Sequence, residues 1–351
     1  MDYRQIYFIQ EVLLMIRVLA WGLGAMGSGI AKNLSEKEGI QLVGAIDRNE
    51  ALIGKDLGTF LGKEEMGITI GNDIEKKLDE TYPDVVVIAT HSFVDVVFPQ
   101  ILKCIEKNVN VVTIAEEMAY PFESNPEQAE IIDKMARKHG VTVLGTGVNP
   151  GFVLDQLILN MTGACLKVNS IKAQRVNDLS PFGKTVMETQ GVGTTVEQFN
   201  AGIADGSIVG HIGFQQSIQM IGDYMGWAID RIEEEREPIV SKTSRETPVV
   251  KVEPGMVAGC RHIGRGYEGD ELKIELIHPQ QIHPEVEDVD TGDYIWIYGD
   301  PDISLAIKPE IPGGKGTMAT ASNMIPIVCD WDAGLFSMAD MPIPVCLPDR
   351  F

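Results

Sequence analysis

A short apolar run, Arg17 to Trp21, breaks off at Gly22-Leu23-Gly24-Ala25-Met26-Gly27, and Met26, Ile30 and Leu34 then recur at helical spacing. Three glycines spaced this way between a strand and a helix leave few folds open. The first must turn tightly, the second must let main-chain N–H groups approach a diphosphate, and the third must let helix and sheet pack closely. A glycine turn that merely joins a strand to a helix requires no further context, but here context is present. A second apolar run, Gln41 to Ile46, stops at Asp47-Arg48, roughly 20 positions beyond Gly27, where an acidic residue meets the hydroxyls of an adenosine ribose. Gly22, Gly24, Ala25, Met26 and Gly27 are therefore the expected cofactor cradle, with Asp47, Arg48 and Thr90 beside it. Asp47 favours NAD, whereas Arg48 can flank a 2′-phosphate and admit NADP. NAD is the favoured cofactor, with dual use left open.

The first half continues the alternation. Apolar runs at Asp84 to Ala89, Asn110 to Ile114 and Val141 to Leu144 end respectively at Thr90-His91-Ser92, Ala115-Glu116-Glu117 and Gly145-Thr146-Gly147. Between them, Phe98 to Lys107 and Pro126 to Lys138 have the pattern of amphipathic helices. Such units build a doubly wound parallel sheet of the Rossmann type, whose ligands sit beyond the carboxyl ends of the strands.

From Lys167 the pattern changes to longer extended stretches: Lys167 to Val176, Val249 to Val252, Met256 to Tyr267, Leu272 to His278 and Asp293 to Tyr298. Gly269-Asp270 marks a hairpin turn. One helix is expected from Thr194 or Thr195, with Glu197 and Gln198 as capping partners, and another from about Ile212 to Ile232. Glu233 to Glu235 then form a solvated face, Gly313 to Gly316 a loop, and Thr317 to Val328 a helix. The expected fold class is α/β, an N-terminal Rossmann sheet followed by an α+β domain on a mixed or antiparallel sheet. The expected division is an extension over 1–14, a dinucleotide-binding domain over 15–150, a substrate-binding and dimerisation domain over 151–312, and a segment over 313–351 returning to the first domain. The proline-rich tail, with Pro342, Pro344 and Pro348, is expected to be a surface strap.

Charge narrows the partners. With 29 Lys plus Arg against 51 Asp plus Glu, the net charge of −22 repels phosphate backbones and anionic lipid heads. Nucleic acid and membrane surfaces are set aside, and a small molecule is the expected partner. The five cysteines, Cys104, Cys165, Cys260, Cys329 and Cys346, show no C-x-x-C spacing, which fits a reducing cytoplasm and argues against a disulfide framework or a cysteine zinc site. No metal is expected.

The run Val18 to Ile30, the segments Ala115 to Pro121 and Gly145 to Phe152, and Gly210-His211-Ile212-Gly213 together resemble the 2,4-diaminopentanoate dehydrogenases. The layout is more broadly similar to dihydrodipicolinate reductases and meso-diaminopimelate dehydrogenases. The resemblance runs from Met15 almost to the C-terminus. It implies oxidative deamination of the C4 amine of 2,4-diaminopentanoate with NAD(P), giving 2-amino-4-oxopentanoate and ammonia in ornithine degradation. Two departures narrow it. The paired-histidine and lysine motif of the reductases is absent around His262, His278 and His283. The Trp-Asp-Pro-Gly turn of the diaminopimelate enzymes stands here as Val148-Asn149-Pro150-Gly151, so a carboxylate and an aromatic wall are lost and the substrate differs.

An amine dehydrogenase must hold a cationic substrate, oxidise only the neutral amine and then bring water to the resulting iminium. Carboxylates at a strand's carboxyl end suit the first task, so Glu116 and Glu117 are candidates for the substrate ammonium; the alternative is a helix-start pair complementing a dipole. Asp95 carries the same two readings. His91 is either an acid/base at the nicotinamide end or a loop residue, and His211 either assists water attack or caps a helix. Asn149 either orients the nicotinamide or a substrate carboxylate, or belongs to a proline turn. Lys184, Arg261 and Lys315 are the candidate carboxylate anchors, with no choice among them. Two other functions stay in view, a dehydrogenase or reductase of another amino acid or cyclic imine, and a non-catalytic NAD(H) sensor. A homodimer is the working expectation.

Overall fold

The structure, a computed structural model, describes residues 15–350; the expected extension over 1–14 lies outside the described residues. The chain begins with β1 (Ile16–Trp21), α1 (Ala25–Leu34), β2 (Ile40–Ile46), α2 (Leu57–Phe60), β3 (Ile70–Gly71) and α3 (Ile74–Thr81). It continues through β4 (Val85–Ile88), α4 (Val94–Glu106), β5 (Asn110–Thr113), α5 (Pro121–Ser124), α6 (Pro126–His139), β6 (Thr142–Gly145) and α7 (Gln156–Thr162). Then come β7 (Lys167–Asp178), α8 (Lys184–Thr189), α9 (Val196–Asp205), α10 (Phe214–Met225), β8 (Arg231–Val240), β9 (Arg245–Glu246) and β10 (Lys251–Val252). The last elements are β11 (Val257–Glu268), β12 (Glu271–Gln281), β13 (Gly292–Asp300), β14 (Ile303–Ile307), α11 (Gly313–Cys329) and β15 (Gly334–Phe336).

Seven strands form a parallel sheet in the order β15-β6-β5-β4-β1-β2-β3. Both faces are covered, so even apolar neighbours divide between two cores. Val18 and Ala20 of β1 pack with Ile30 and Leu34 of α1 and with Met324 and Ile325 of α11. Leu19 between them packs with Ile74 of α3, Val97 of α4 and Ile132 of α6. The strand order reverses between β1 and β4, and a crevice opens beyond carboxyl ends at such a switch point.

The second sheet has six strands in the order β14-β13-β7-β12-β11-β8. Only β7 and β12 run parallel; the other pairs are antiparallel. Helix α10 lies across one face, where Gly264 and Gly266 leave room for Phe214 and Ile218. A methyl on Gly264 would stand 2.8 Å from the Phe214 ring. The α/β class with a parallel first sheet and a mixed second sheet agrees with the sequence reading.

Four local expectations differ. Helix α10 ends at Met225 because Gly226 adopts a left-handed C-cap with φ 68°, and the glutamate run belongs instead to strand β8. Glu233, Glu234 and Glu235 are all exposed as expected, and Glu234 also meets His262 Nε2 at 3.2 Å. Gly313 to Gly316 are the first turn of α11, and Gly316 is packed on Val148 so that a methyl would stand 2.6 Å from Val148 Cγ2. Helix α4 begins at Val94, whose N–H donates to Glu117 Oε2 at 2.7 Å. The tail does lie on the first sheet's side: Glu38 N–H donates to the Pro348 carbonyl at 2.9 Å, and Lys37 pairs with Asp349 at 2.7 Å.

Candidate active site

Each glycine of the opening loop has its own steric reason. Gly22 has φ +94°, and a methyl there would stand 2.5 Å from the Ala89 carbonyl oxygen, so only glycine lets β1 end against β4. A methyl on Gly27 would overlap the Gly22 carbonyl. Around Gly24 nothing lies within 4 Å of an added Cβ. Gly24 is also the N-cap of α1 and supplies no side-chain acceptor, and the first turn carries no acidic residue. The free N–H groups of that turn, from Ala25 and Met26 onward, therefore face open space with the helix dipole behind them. This cradle fits a dinucleotide diphosphate.

Asp47 follows β2. Its Oδ2 accepts from Leu23 N–H at 2.6 Å and its Oδ1 from Asn49 N–H at 2.7 Å, so the carboxylate is fixed beside the glycine loop. Arg48 is exposed next to it. Thr90 follows β4, with its hydroxyl donating to Gln100 Oε1 at 2.7 Å. The first turn of α11 closes on the same loop, since a Cβ on Gly314 would sit 3.8 Å from Met26 Sδ. Lys315 is exposed on that turn. The other two candidate anchors pair elsewhere: Lys184 with Glu188 at 3.5 Å, and Arg261 with Glu237 at 2.6 Å.

At the end of β5 the two glutamates part company. Glu117 caps α4 as described and accepts the Val94 N–H. Glu116 opens a short 3-10 helix, Glu116–Ala119, with its carboxylate near Ser92 and His91. Burial pushes the Glu116 carboxyl above the usual carboxylate range, opposed by the Ser92 hydrogen bond and the nearby His91. His91 itself is exposed, its Nδ1 accepting from Phe93 N–H at 3.4 Å. Asp95 is exposed on α4 and accepts from Gln128 Nε2 at 3.0 Å.

The end of β6 lies against this segment, since Gly145 packs on the Met118 backbone too closely for any side chain. Asn149 follows it, and Gly213 packs directly on Pro150, bringing His211 and α10 to the same place. Tyr120 anchors the arrangement by donating to Asp223 Oδ2 of α10 at 2.6 Å.

Beside Asn149 the second sheet supplies a group absent from the sequence reading. His262 of β11 and His278 of β12 are cross-strand partners. His211 stacks edge-on against His278 with centroids 4.9 Å apart, and Phe214 packs on all three rings. His278 Nδ1 is 3.5 Å from Asn149 Nδ2, and its Nε2 is 3.0 Å from Asn177 Oδ1. His211 N–H donates to His262 Nδ1 at 3.0 Å. Burial pushes His211 down to about 3 and His278 well below its ordinary value, with neighbouring histidines and Arg175 adding to both effects. Arg175 is itself buried, bonded to Asp293 at 2.5 Å and to the Ile311 carbonyl. One signal for this group was available. The hairpin at Gly269-Asp270 sets 262 opposite 278 once the bulge between Gly266 and Tyr267 is counted. Nothing in the sequence tied Asn177 or Arg175 to it.

Residues 16–144 match the family of dihydrodipicolinate reductase N-termini, and residues 152–351 the family of 2,4-diaminopentanoate dehydrogenase C-terminal domains. The chain is 46% identical over 343 residues to a 2,4-diaminopentanoate dehydrogenase from Acetoanaerobium sticklandii, covering 96% of each. It is 25% identical over 352 residues to an amine dehydrogenase from Streptomyces virginiae, covering 94% of this chain and 97% of that one. The solved amine dehydrogenase from Mycobacterium smegmatis superposes with a TM-score of 0.82 at 27% identity, over 94% of this chain and 97% of the other. The glycine cradle at the switch point, the acidic strand ends and these relatives define an NAD(P)-dependent amino acid dehydrogenase. The chain belongs to the 2,4-diaminopentanoate dehydrogenase family. It acts on a small molecule, and among the described residues no helix is long and apolar enough to cross a membrane.

Proposed function

We propose that this chain catalyses the oxidative deamination of 2,4-diaminopentanoate at C4, in which the hydride passes to NAD(P)+ and water supplies the ketone oxygen, giving 2-amino-4-oxopentanoate, ammonia, reduced cofactor and a proton. Identity of 46% over nearly the whole length to a dehydrogenase of that substrate supports the reading. The structural observation that carries it is Glu116, a half-buried carboxyl at the carboxyl edge of the first sheet whose desolvation raises its pKa. The bound nicotinamide supplies a two-electron acceptor for the C4 centre. Glu116 holds the C4 ammonium and takes its proton, leaving the nitrogen neutral. A carboxyl raised by burial is a better proton acceptor than an exposed one, because efficiency grows as its pKa nears the working pH. Gly22, Gly24, Ala25, Met26 and Gly27 hold the diphosphate with main-chain N–H groups, beside Thr90. Asp47 accepts from the adenosine ribose, so NAD is the preferred cofactor, with NADP use through Arg48.

Glu117 and Asp95 shape this edge at the start of α4, His91 borders it on the exposed side, and Asn149 after β6 and His211 before α10 close it. Residues 15–150 form the nucleotide domain and 151–312 the substrate domain; the packing of α11 against α1 supports assigning 313–351 to the former. The assembly is a homodimer through the sheet face opposite α10. There Tyr294 and Trp296 stack at 5.9 Å, and Arg261, Arg265 and Lys172 alternate with Glu237, Glu235 and Glu275, a pattern that suits a second copy of itself. Five free thiols suit the cytoplasm.

Mixing enzyme, NAD and 2,4-diaminopentanoate, and following the absorbance of the reduced cofactor, tests the reaction. Turnover with release of ammonia is expected. Absence of turnover while NAD still binds would remove this substrate. Light scattering in solution reads the assembly, and a monomer would overturn the dimer.

A further inference from the structure

Two polar atoms at the junction of the two sheets are buried and have no hydrogen-bond partner, His211 Nε2 and Asn149 Oδ1. Both stand against the ring of His278, His211 by edge-on stacking at 4.9 Å and Asn149 through its amide nitrogen at 3.5 Å. The neighbouring polar atoms are satisfied. His262 is held between Glu234 at 3.2 Å and the His211 N–H at 3.0 Å. The side-chain amide oxygen of Asn177, 3.0 Å from His278 Nε2, places the imidazole proton there. His278 Nδ1 is then a bare lone pair. It takes the Asn149 amide N–H, which leaves the buried Asn149 oxygen as an acceptor without a donor.

A buried polar atom without a partner costs about 1 to 3 kcal/mol. Two of them on side chains that share the His278 ring, in a cluster otherwise satisfied, mark the place of a ligand with N–H donors. We infer, resting on the proposed reaction, that His211 Nε2 and Asn149 Oδ1 form the subsite for the substrate's second amino group, the one at C2 that is not oxidised. His278 and Asn177 are the positioning residues that aim Asn149. The C4 amine needs a group that takes its proton, and Glu116 serves it. His211, held near a pKa of 3 by burial, stays neutral at working pH and accepts a hydrogen bond without removing a proton. An unpaired amide oxygen also disfavours a carboxylate in the same place. The subsite therefore selects a diamino acid over a monoamine of the same length, because an analogue without the second amine leaves both acceptors unpaired.

The test compares kcat/KM for 2,4-diaminopentanoate and for 4-aminopentanoate, which lacks only the C2 amine. Wild-type enzyme is expected to favour the diamine. His211→Phe keeps the ring and removes Nε2, Asn149→Ala removes the oxygen, and His278→Phe releases Asn149. Each is expected to lower the ratio of the two kcat/KM values roughly 10- to 100-fold. NAD affinity, followed by cofactor fluorescence, reports folding, and if His211→Phe does not fold, Asn149→Ala decides. A wild-type preference too large to measure supports the subsite, and the fall in kcat/KM for the diamine then becomes the readout. An unchanged ratio in the variants overturns the subsite. Equal use of both compounds by the wild type overturns it too while leaving the reaction intact. Wild-type enzyme that consumes neither overturns the reaction, and the subsite with it.

Discussion

The two sheets prepare their ligand edges in opposite ways. The parallel sheet offers main-chain groups: Gly22 and Gly27 are tight because a methyl would strike backbone, and Gly24 is open with uncapped helix N–H groups behind it. The mixed sheet offers side chains, His262, His278, Asn177 and the Arg175–Asp293 pair, met by Asn149 from the end of the first sheet and by His211 from the loop before α10. A backbone cradle recognises a diphosphate common to many dinucleotides, whereas a side-chain cluster is specific to one substrate. On the proposed reading the difference teaches where selectivity resides: the first sheet holds the cofactor and the reacting amine, and the histidine cluster recognises the second amine.

The sharpest way to break this division lies at its boundary. Glu116→Gln should lower kcat/KM for the diamine roughly 100- to 10,000-fold, the range of a lost general base, while NAD affinity holds. Unchanged efficiency would show that Glu116 does not receive the substrate amine.

Next in size is Arg175→Leu. Removing one partner of a buried ion pair leaves Asp293, fully buried, with an uncompensated charge, and about 3 to 5 kcal/mol of stability should be lost in thermal unfolding. A loss under about 1 kcal/mol, the worth of a surface pair, would mean that the second sheet tolerates charge better than its burial implies.

Gly22→Ala tests the backbone side. The left-handed φ and the 2.5 Å approach to Ala89 should cost about 1 to 3 kcal/mol and weaken NAD binding at least tenfold. Normal affinity would separate the loop's geometry from cofactor binding.

The histidine cluster also makes stability depend on pH. The folded-state pKa of His211 is depressed to about 3 against 6.5 unfolded. Between those values the unfolded chain binds a proton that the folded chain refuses. The stabilisation is therefore complete above pH 6.5 and is lost as pH falls toward 3. At pH 5 the wild type should have lost about 1 to 2 kcal/mol more than His211→Phe, relative to pH 7.5. Parallel pH curves for the two proteins would show that His211 is not held neutral.

The smallest effect is expected at Asp47. Asp47→Ala should raise the Michaelis constant for NAD about tenfold, with less change for NADP, as expected for one charge-assisted hydrogen bond. Equal effects would move Asp47 off the ribose.

Legibility followed the range of the forces involved. Glycine spacing, the end of β2 at Asp47 and the strand ends at Thr90 and Glu116 were readable because each is decided within one strand, turn and helix. The termination of α10 at Gly226 was equally local and still escaped, since the apolar period of that helix runs on into β8, where the same residues face the second core. Glu117 was paired with Glu116 by adjacency alone, and it was the packing of α4 that made it a cap.

By itself, then, the sequence determined the glycine turn between β1 and α1, the parallel alternation and the change of architecture near residue 167, because steric and periodic constraints act between near neighbours. Tertiary structure alone decided that the Glu116 carboxyl is desolvated while Glu117 caps a helix, and that His211, His262, His278 and Asn149 converge. Desolvation and hydrogen-bond polarity depend on what arrives from distant segments, and a linear pattern carries no record of that.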